Sequence, residues 1–348
     1  MVAGGGLIGA AVAAPGSSAT AAPADSGTGA AAGQTCSVTA VAEKVLPSVV
    51  TIAAQGADGA RGTGSGELIR ADGYILTNNH VISIAAAAGG SVQVLFADGT
   101  SEAATIVGRD VLTDLAVLKV AATHGLDPIP LGSSASLQVG QQVIAVGAPL
   151  GLSGTVTTGI VSALDRTVEV PAEDDASALL VSAVQTDAAI NPGNSGGALV
   201  DCAGDLVGIP SAGASVPAAS GESAGGNIGL GFAIPVDAAT VTADEIISTG
   251  RATHSYFGLQ TVPVPPEAAT EAGLPGGLYV AGVVANSPAV KAGLRAGDVI
   301  TTLAGQPATS NAQVQELTLT KNPGDQVDVG YLRGGKEQQA TVTLTAQP

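Results

Sequence analysis

One stretch limits what this chain can be: Gln185-Thr-Asp-Ala-Ala-Ile-Asn-Pro-Gly-Asn-Ser-Gly-Gly-Ala-Leu-Val-Asp201. An apolar strand ends in it, the backbone turns through Asn191, Pro192 and Gly193, and Ser195 stands at the bend before a second apolar strand. Gly193, Gly196 and Gly197 free the backbone to take positive φ and to approach a ligand closely. Such a turn can aim the N–H groups of Gly193 and Ser195 at one point, as an oxyanion hole requires, with the Ser195 hydroxyl in reach of that point.

Two other readings compete for the same residues. A Gly/Ser-rich turn can be no more than a turn. Gly193-x-Ser195-x-Gly197 also fits the nucleophile elbow of α/β-hydrolases, which needs a helix after the serine and partners in the order Ser, Asp, His. Here Ala198-Leu-Val200 and Leu206-Val-Gly-Ile209 follow as two short strands, and the only histidine beyond Ser195 is His254, in a linker. That context excludes the elbow.

A serine nucleophile needs a base, and the chain has three histidines, His80, His124 and His254. His80 lies where the apolar strand in Gly73-Tyr-Ile-Leu-Thr-Asn-Asn-His-Val-Ile82 breaks at a polar run, a place both held and exposed. His124, in His124-Gly-Leu-Asp-Pro, reads as loop surface. The third partner should be a buried carboxylate, and Asp114 opens the strand Asp114-Leu-Ala-Val-Leu-Lys-Val120, where burial requires a pairing group. Asp110 competes but sits in a polar Gly108-Arg-Asp110 turn, and Asp98 in Ala97-Asp-Gly99 reads as a hairpin turn. The order His80, Asp114, Ser195 is the chymotrypsin-type order.

With these residues in place the chain resembles the HtrA/Deg family of trypsin-like serine proteases with a C-terminal PDZ domain. The resemblance rests on Thr77-Asn-Asn-His80-Val, Thr113-Asp114-Leu-Ala-Val-Leu-Lys, Gly147-Ala-Pro-Leu-Gly-Leu152, Gln185 to Leu199, Asn227-Ile-Gly-Leu-Gly-Phe-Ala-Ile-Pro235 and the PDZ-like tail. It covers roughly residues 37 to 346. It implies a mostly β fold, a chymotrypsin-like double β-barrel followed by an α+β PDZ domain. It also implies a protease acting on unfolded, misfolded or regulatory envelope proteins, with activity under PDZ control. Family trimers rest on N-terminal aromatics, and no aromatic residue precedes Tyr74, so a homotrimer stays an open alternative.

The chain of 348 residues has room for two domains after a non-globular start. Residues 1–35 carry no Lys or Arg and one acid, Asp25; Val2 to Ala14 is apolar but too short to span a bilayer alone. They read as the remnant of an export or anchor segment followed by a flexible linker. Residues 36–250 are assigned to the protease domain and 251–348 to the PDZ domain. The protease part holds 21 acidic and 6 basic side chains, out of a net charge of −17 for the whole chain, so nucleic acid is an excluded partner.

The periodicity predicts a helix from Ser37, capped by that residue and stopped by Pro47, with Val38, Val41, Val45 and Leu46 on one face. Six strands follow for a first barrel and six for a second, closed by a helix over Asp237–Gly250 with Asp237 as its cap. Glu67 follows Gly-Ser-Gly where an apolar residue is expected and should point to solvent, because an inward glutamate is costly. Arg166–Ser177 and Ser211–Gly226 look like mobile loops. Ile190 and Asn227-Ile228-Gly229 bring no charge and predict an apolar, shallow S1 pocket for small aliphatic side chains, with Val and Ala favoured by the resemblance.

In the tail, Tyr256-Phe257-Gly258-Leu259 resembles a PDZ carboxylate-binding loop, whose N–H groups capture a peptide C-terminus. A helix over Asn311–Leu319 should wall the groove with Val314 and Leu317. The two cysteines, Cys36 and Cys202, cannot build a zinc site, which takes four ligands, and no histidine lies near Cys202 in sequence. The even count in an exported chain points to a Cys36–Cys202 disulfide. No metal or cofactor is expected. The expected location is extracytoplasmic: cell envelope or secreted, or anchored to a membrane at the N-terminus. Three function classes stay open: an active endopeptidase, a PDZ-gated protease dormant until peptide binds, and a chaperone-like binding scaffold.

Overall fold

A computed structural model describes residues 36–121, 126–148, 154–172, 177–213, 229–265, 267, 269 and 276–348. The N-terminal segment 1–35, His124, Asn227, Ile228 and most of the expected Ser211–Gly226 loop lie outside the described residues.

The first described helix, α1 (Val38–Val45), starts where expected: Ser37 caps it by accepting from the amide of Ala40, and a 3-10 turn holding Pro47 ends it. Six β-rich segments then close a first barrel: β1 (Val49–Gln55), β2 (Arg61–Arg70), β3 (Tyr74–Thr77), β4 (Ser91–Leu95), β5 (Ser101–Asp110) and β6 (Leu115–Lys119), in the order β1-β2-β3-β6-β5-β4. The second barrel is β7 (Gln142–Gly147), β8 (Thr155–Pro171), β9 (Ser177–Thr186), β10 (Ala198–Val200), β11 (Leu206–Gly213) and β12 (Gly231–Pro235), in the order β10-β11-β12-β9-β8-β7. Closing each sheet on itself removes the unpaired edges that such short apolar strands would otherwise expose. Asp98 makes the β4–β5 hairpin turn as expected, its carboxylate accepting from the Thr100 amide at 2.8 Å.

Alternation along the strands divides the apolar residues into three packed groups. Ile52, Leu68, Ile75, Val94 and Leu118 fill the first barrel; Val143, Ala145, Val161, Leu199 and Val207 fill the second. The opposite faces meet between them: Leu76, Leu115 and Val117 from the first barrel pack with Ile144, Val146, Ala198 and Val200 from the second. Val41 and Val45 of α1 join that interface, as do Ala239, Ala243 and Ile246 of α3 (Val236–Thr249). Gly250 ends α3 in the left-handed conformation, φ 82°.

Three expectations need correction here. Asp237 does not cap α3, whose N-cap is Pro235; it lies in the first turn and accepts from Ser133, Ser134 and the amide of Ala135. Those hydrogen bonds outweigh its desolvation and hold its pKa below the usual carboxylate value. Arg166–Ser177 is not a loop over most of its length. β8 runs on to Pro171 and pairs with β9 as a long hairpin, with Val168 opposite Leu180 and Val170 opposite Ala178. Glu67 does not face solvent. It is fully buried on β2, paired across the sheet with Val49 and Leu76, and neither carboxylate oxygen has a partner among the described residues.

Burial raises the Glu67 pKa well above its ordinary value, against the smaller opposing effect of its own backbone amide. The folded chain therefore keeps this proton through a range where the unfolded chain has lost it. The stability tied to it is complete below the unfolded carboxylate value and falls as pH rises toward the folded one. Glu67→Leu should be the more stable protein at neutral pH. The gap in urea midpoint should widen between pH 4 and pH 7 by the equivalent of up to roughly 1.4 kcal/mol per pH unit. A gap independent of pH would show that Glu67 is not buried as a neutral acid.

The disulfide expected from the two cysteines is present: Cys36 and Cys202 are bonded, with Cα atoms 5.1 Å apart. It fixes the start of α1 to the turn after β10, where Lys44 also donates to the Ala203 carbonyl at 2.7 Å and pairs with Asp205 at 3.2 Å. The bridge closes 166 residues of chain, which the chain-entropy model equates with about 5 kcal/mol. Reduction should lower the melting temperature of the parent and leave a Cys36→Ala/Cys202→Ala double variant unmoved; equal melting curves before and after reduction of the parent would contradict this.

The C-terminal part is built on a sheet in the order β14-β15-β16-β18-β19: β14 (Leu259–Val264), β15 (Gly277–Val283), β16 (Val299–Leu303), β18 (Gln326–Arg333) and β19 (Lys336–Thr343). The short β17 (Gln306–Pro307) pairs with β16. β13 (Ser255–Tyr256) and β20 (Thr345–Ala346) pair apart from it. Its helices are α4 (Pro288–Lys291) and α5 (Asn311–Thr320), the latter with a capping box between Ser310 and Gln313. Asp298, 1 % exposed, would be a costly buried charge alone, and Arg333 answers it with two hydrogen bonds of 2.7 and 2.8 Å.

Candidate active site

Three segments meet where the barrels face each other. β3 ends at Thr77, and Asn78 opens the one-turn helix α2 (Asn79–Ile82), which carries His80 at its second position. Asp114 precedes β6 with φ 59°, a left-handed conformation rare for a residue with a side chain. Its backbone carbonyl is fixed by the Asn79 amide at 3.1 Å and the Asn78 side-chain amide at 2.9 Å. Its carboxylate lies 2.8 and 3.0 Å from Nδ1 of His80 and accepts from the His80 amide at 3.0 Å. Nδ1 faces an acceptor, so it carries the proton and Nε2 is left as the basic nitrogen. Asp114 is 3 % exposed and the His80 side chain 39 %, so the pair runs from buried to accessible.

Ser211, on β11, is a member of this group that the sequence analysis passed over inside an expected loop. Its hydroxyl donates to Asp114 Oδ2 at 2.6 Å, and its carbonyl accepts from Ser195 Oγ at 3.3 Å. One residue thus touches both the carboxylate and the serine. Only its proximity to β10 in the folded barrel could have identified it.

Gly193 takes φ 101° and Gly196 φ 77° in the turn. A Cβ at Gly196 would come within 2.3 Å of the Thr77 hydroxyl and 2.4 Å of the Ser65 carbonyl, so only glycine fits there. The amides of Asn194, Gly196 and Gly197 bond to Asn191, Pro210 and Asn194 carbonyls, whereas those of Gly193 and Ser195 have no partner among the described residues. Asn194 is 2 % exposed and anchors the turn by donating to the Ala189 carbonyl at 3.1 Å.

The other anchor comes from the opposite barrel. Ser65 on β2 donates its hydroxyl to the Gly193 carbonyl at 2.5 Å and accepts from the Ala148 amide at 2.8 Å. Its own amide donates to the Ser195 carbonyl at 2.9 Å. Ser65→Ala leaves a carbonyl and an amide unpaired, and the amide is fully enclosed. The variant should lose about 2–4 kcal/mol in chemical denaturation, while Ser65→Thr keeps the hydroxyl and part of the stability. A loss under half a kcal/mol in Ser65→Ala would remove this strap from the account.

The remaining expected site residues fall as follows. Ile190 is 3 % exposed in the core of the second barrel, against Gly231, and Gly229 has φ 81°. Asp110 is not in a polar turn: it ends β5, is 5 % exposed, and lies 2.7 Å from Nε2 of His254. Phe257 is a core residue of the C-terminal sheet, with Tyr256 and Leu259 half-buried beside it. The Phe257 and Gly258 carbonyls accept from Ala289 and Val284, and their amides have no partner among the described residues. Val314 and Leu317 pack against the same core, on the helix that lies along β14 through a Thr261–Asn311 hydrogen bond of 2.8 Å.

The structure thus brings His80, Asp114, Ser211 and Ser195 together between two closed barrels, and a separate C-terminal sheet follows them. Residues 64–209 match the trypsin-like peptidase domain family and residues 255–344 the PDZ domain family. The chain is 44 % identical over 316 residues to serine protease PepD of Mycobacterium tuberculosis, covering 88 % of this chain and 66 % of that protein. It is 39 % identical over 290 residues to a probable periplasmic serine endoprotease, DegP-like, of Halomonas elongata, covering 83 % and 57 %. It thus spans about two thirds of one of these curated relatives and little more than half of the other. Among solved structures, the HtrA-type protease AlgW with decapeptide is similar at 33 % identity and a TM-score of 0.68, over 90 % of this chain and 99 % of that one. The serine endoprotease from Yersinia pestis gives 33 % and 0.65, over 90 % and 98 %. The chain belongs to the HtrA-type family of trypsin-like serine proteases with a PDZ domain.

Proposed function

We propose that the chain is a serine endopeptidase whose protease domain spans residues 36–250 and whose PDZ domain spans residues 251–348. The observation that carries this is the convergence on the buried Asp114 carboxylate, which lies 2.8 Å from Nδ1 of His80 and accepts from the Ser211 hydroxyl. In this reading Ser195 Oγ attacks the scissile carbonyl and its proton passes to Nε2 of His80. Asp114 holds the imidazole in the tautomer that accepts it and stabilises the imidazolium that forms. The amides of Gly193 and Ser195 donate to the oxyanion of the tetrahedral intermediate. His80 then protonates the leaving amine, and water repeats the sequence in reverse to release the acyl group.

The substrates are unfolded, misfolded or regulatory proteins outside the cytoplasm. A disulfide suits that compartment, and relatives carry the name periplasmic. No helix among the described residues is long and apolar enough to cross a membrane. Nothing charged is contributed by Ile190 or Gly229, which supports a small, apolar S1 pocket with a soft preference for Val and Ala. The PDZ domain takes a peptide C-terminus on the amides of Tyr256–Leu259 with β14 as the pairing edge. AlgW is described with a bound decapeptide, which supports a peptide ligand here.

A second reading, a protease dormant until the PDZ domain is filled, has one observation in its favour: the Ser195 hydroxyl donates to the Ser211 carbonyl. A fluorophosphonate probe separates the readings. Labelling of Ser195 in the isolated protein supports an active resting state, labelling only with added peptide the gated one, and none the chaperone-like scaffold. Ser195→Ala or His80→Ala should lower kcat on casein by roughly 10⁴–10⁶, with little further loss in the double variant. Casein hydrolysis surviving in purified Ser195→Ala, or dominant cleavage after Lys or Arg, would sink the mechanism or the pocket respectively.

A further inference from the structure

The turn that delivers Asp114 is held by Asp110 at the end of β5, and Asp110 is met by a residue from outside the paired barrels, His254. Asp110 Oδ1 accepts from the Leu112 amide at 3.1 Å, and Oδ2 accepts from the Thr113 hydroxyl and lies 2.7 Å from Nε2 of His254. Both side chains are largely buried, 4 % and 13 % exposed. His254 belongs to the segment between α3 and β13, and its carbonyl accepts from the Gln347 amide at 2.9 Å, which ties it to the last strand region of the C-terminal domain. That domain reaches the same turn by a second route. Gln315 of α5 donates to the Ser177 carbonyl at 3.3 Å, and two residues along β9 the Leu179 amide donates to the Leu112 carbonyl at 2.9 Å.

We infer that Asp110 and His254 are a positioning pair through which docking of the PDZ domain sets the geometry of Asp114. The inference rests on reading Asp114 as the triad carboxylate. Asp114 sits at φ 59°, where a side-chain-bearing residue stays only if its neighbours over-determine it. The Asp110 carboxylate supplies that determination by tying down the two residues immediately before Asp114. A buried carboxylate with two local donors still needs a third partner or a counter-charge, and His254 is the group placed to provide one. Releasing the PDZ domain from the protease surface withdraws His254, leaves Asp110 to seek water, and loosens the turn.

The pair is also sensitive to pH. Burial acts to lower the His254 pKa, but the hydrogen bond and charge of Asp110, with the charge of Glu245, outweigh it and raise the value. The charged groups facing His254 are Asp110 from β5 and Glu245 from α3, whose carboxylate accepts from the Thr253 amide at 3.2 Å. Leu319 and Thr320 at the end of α5 add none; Arg251 and Lys321 are exposed, Asp237 is held by Ser133 and Ser134, and Arg109 reaches Asn79. A histidine with a raised folded pKa stabilises fully below its ordinary value near 6.5, and that contribution is lost as pH rises through the folded value. The hold on the turn therefore weakens toward alkaline pH.

The test uses the full chain, a fluorogenic peptide cleaved after valine, and amide exchange of Leu112 and Leu179, from pH 6 to 9. His254→Ala and Asp110→Ala should each lower kcat about tenfold or more with KM within about twofold, and the double variant should fall no further. Exchange at Leu112 and Leu179 should quicken by a similar factor. His254→Gln keeps a donor without titrating; it should recover most of the loss and flatten the alkaline decline in both readouts. Parent exchange rates in His254→Ala, or no recovery in His254→Gln, would overturn the inference. Should Asp110→Ala fail to fold, the two His254 variants decide alone. A parent chain that cleaves no peptide would overturn the peptidase reading instead, and exchange would then decide the coupling by itself.

Discussion

The grip of β2 on the Ser195 turn is the contact on which the rest of the candidate site depends. His80 and Asp114 come from one barrel and Ser195 from the other, so joint action of the three, as proposed, needs a fixed relation between two separately closed sheets. Apolar packing between them supplies most of the attraction but little direction, since it is roughly proportional to buried area. Ser65 supplies direction. Its amide and hydroxyl bond to the Ser195 and Gly193 carbonyls two residues apart, which fixes both position and rotation of the turn. Thr77 in turn donates to the Ser65 carbonyl at 2.6 Å, one residue before the segment that carries His80. A single strand position is thereby shared between the His80 segment and the Ser195 turn.

Much of this was readable in the sequence where the information is local. The Gly-rich turn about Ser195, the break after Thr77 and the acid opening a strand at Asp114 each combine a backbone requirement with a chemical one over a few residues. The strands of both barrels follow from alternation, and the disulfide from compartment and an even count. What escaped is non-local. Ser211 looks like loop polarity until β11 is laid beside β10. Val168 and Val170 are hidden among Thr, Glu and Arg, yet their spacing of two carries β8 on to Pro171. Asp237 looks like an N-cap because a helix does start there, but its acceptors are used by another segment, Ser133–Ala135.

Glu67 was misread for a more instructive reason. Gly64, Gly66 and Leu68 turn toward the interior of the first barrel, so Ser65 and Glu67 must face outward, and outward on an isolated barrel means water. In this fold that face is covered by the second barrel, and the same alternation that lets Ser65 reach Gly193 buries Glu67. Both consequences follow from one register. The chain accepts a buried acid, its pKa raised by that burial, as the companion of a hydroxyl that holds the Ser195 turn.

The C-terminal domain meets the protease through an element that is held only lightly. Helix α5 has no fully buried residue; Val314 and Leu317 rest on the sheet, Asn311 bonds to Thr261 of β14, and Gln315 bonds to Ser177 of β9. One side of the helix therefore borders the edge of the sheet, where β14 has no second strand partner among the described residues, and another borders the protease. A segment with few buried apolar contacts has low local stability, so its position is set by whatever lies on either side. A strand added to β14 would press on the same helix that touches β9, and β9 is bonded at Leu179 to the turn before Asp114. Two domains joined this way need no large motion to influence each other: a shift of α5 small enough to preserve its packing is already large on the scale of the hydrogen bonds that hold Asp114.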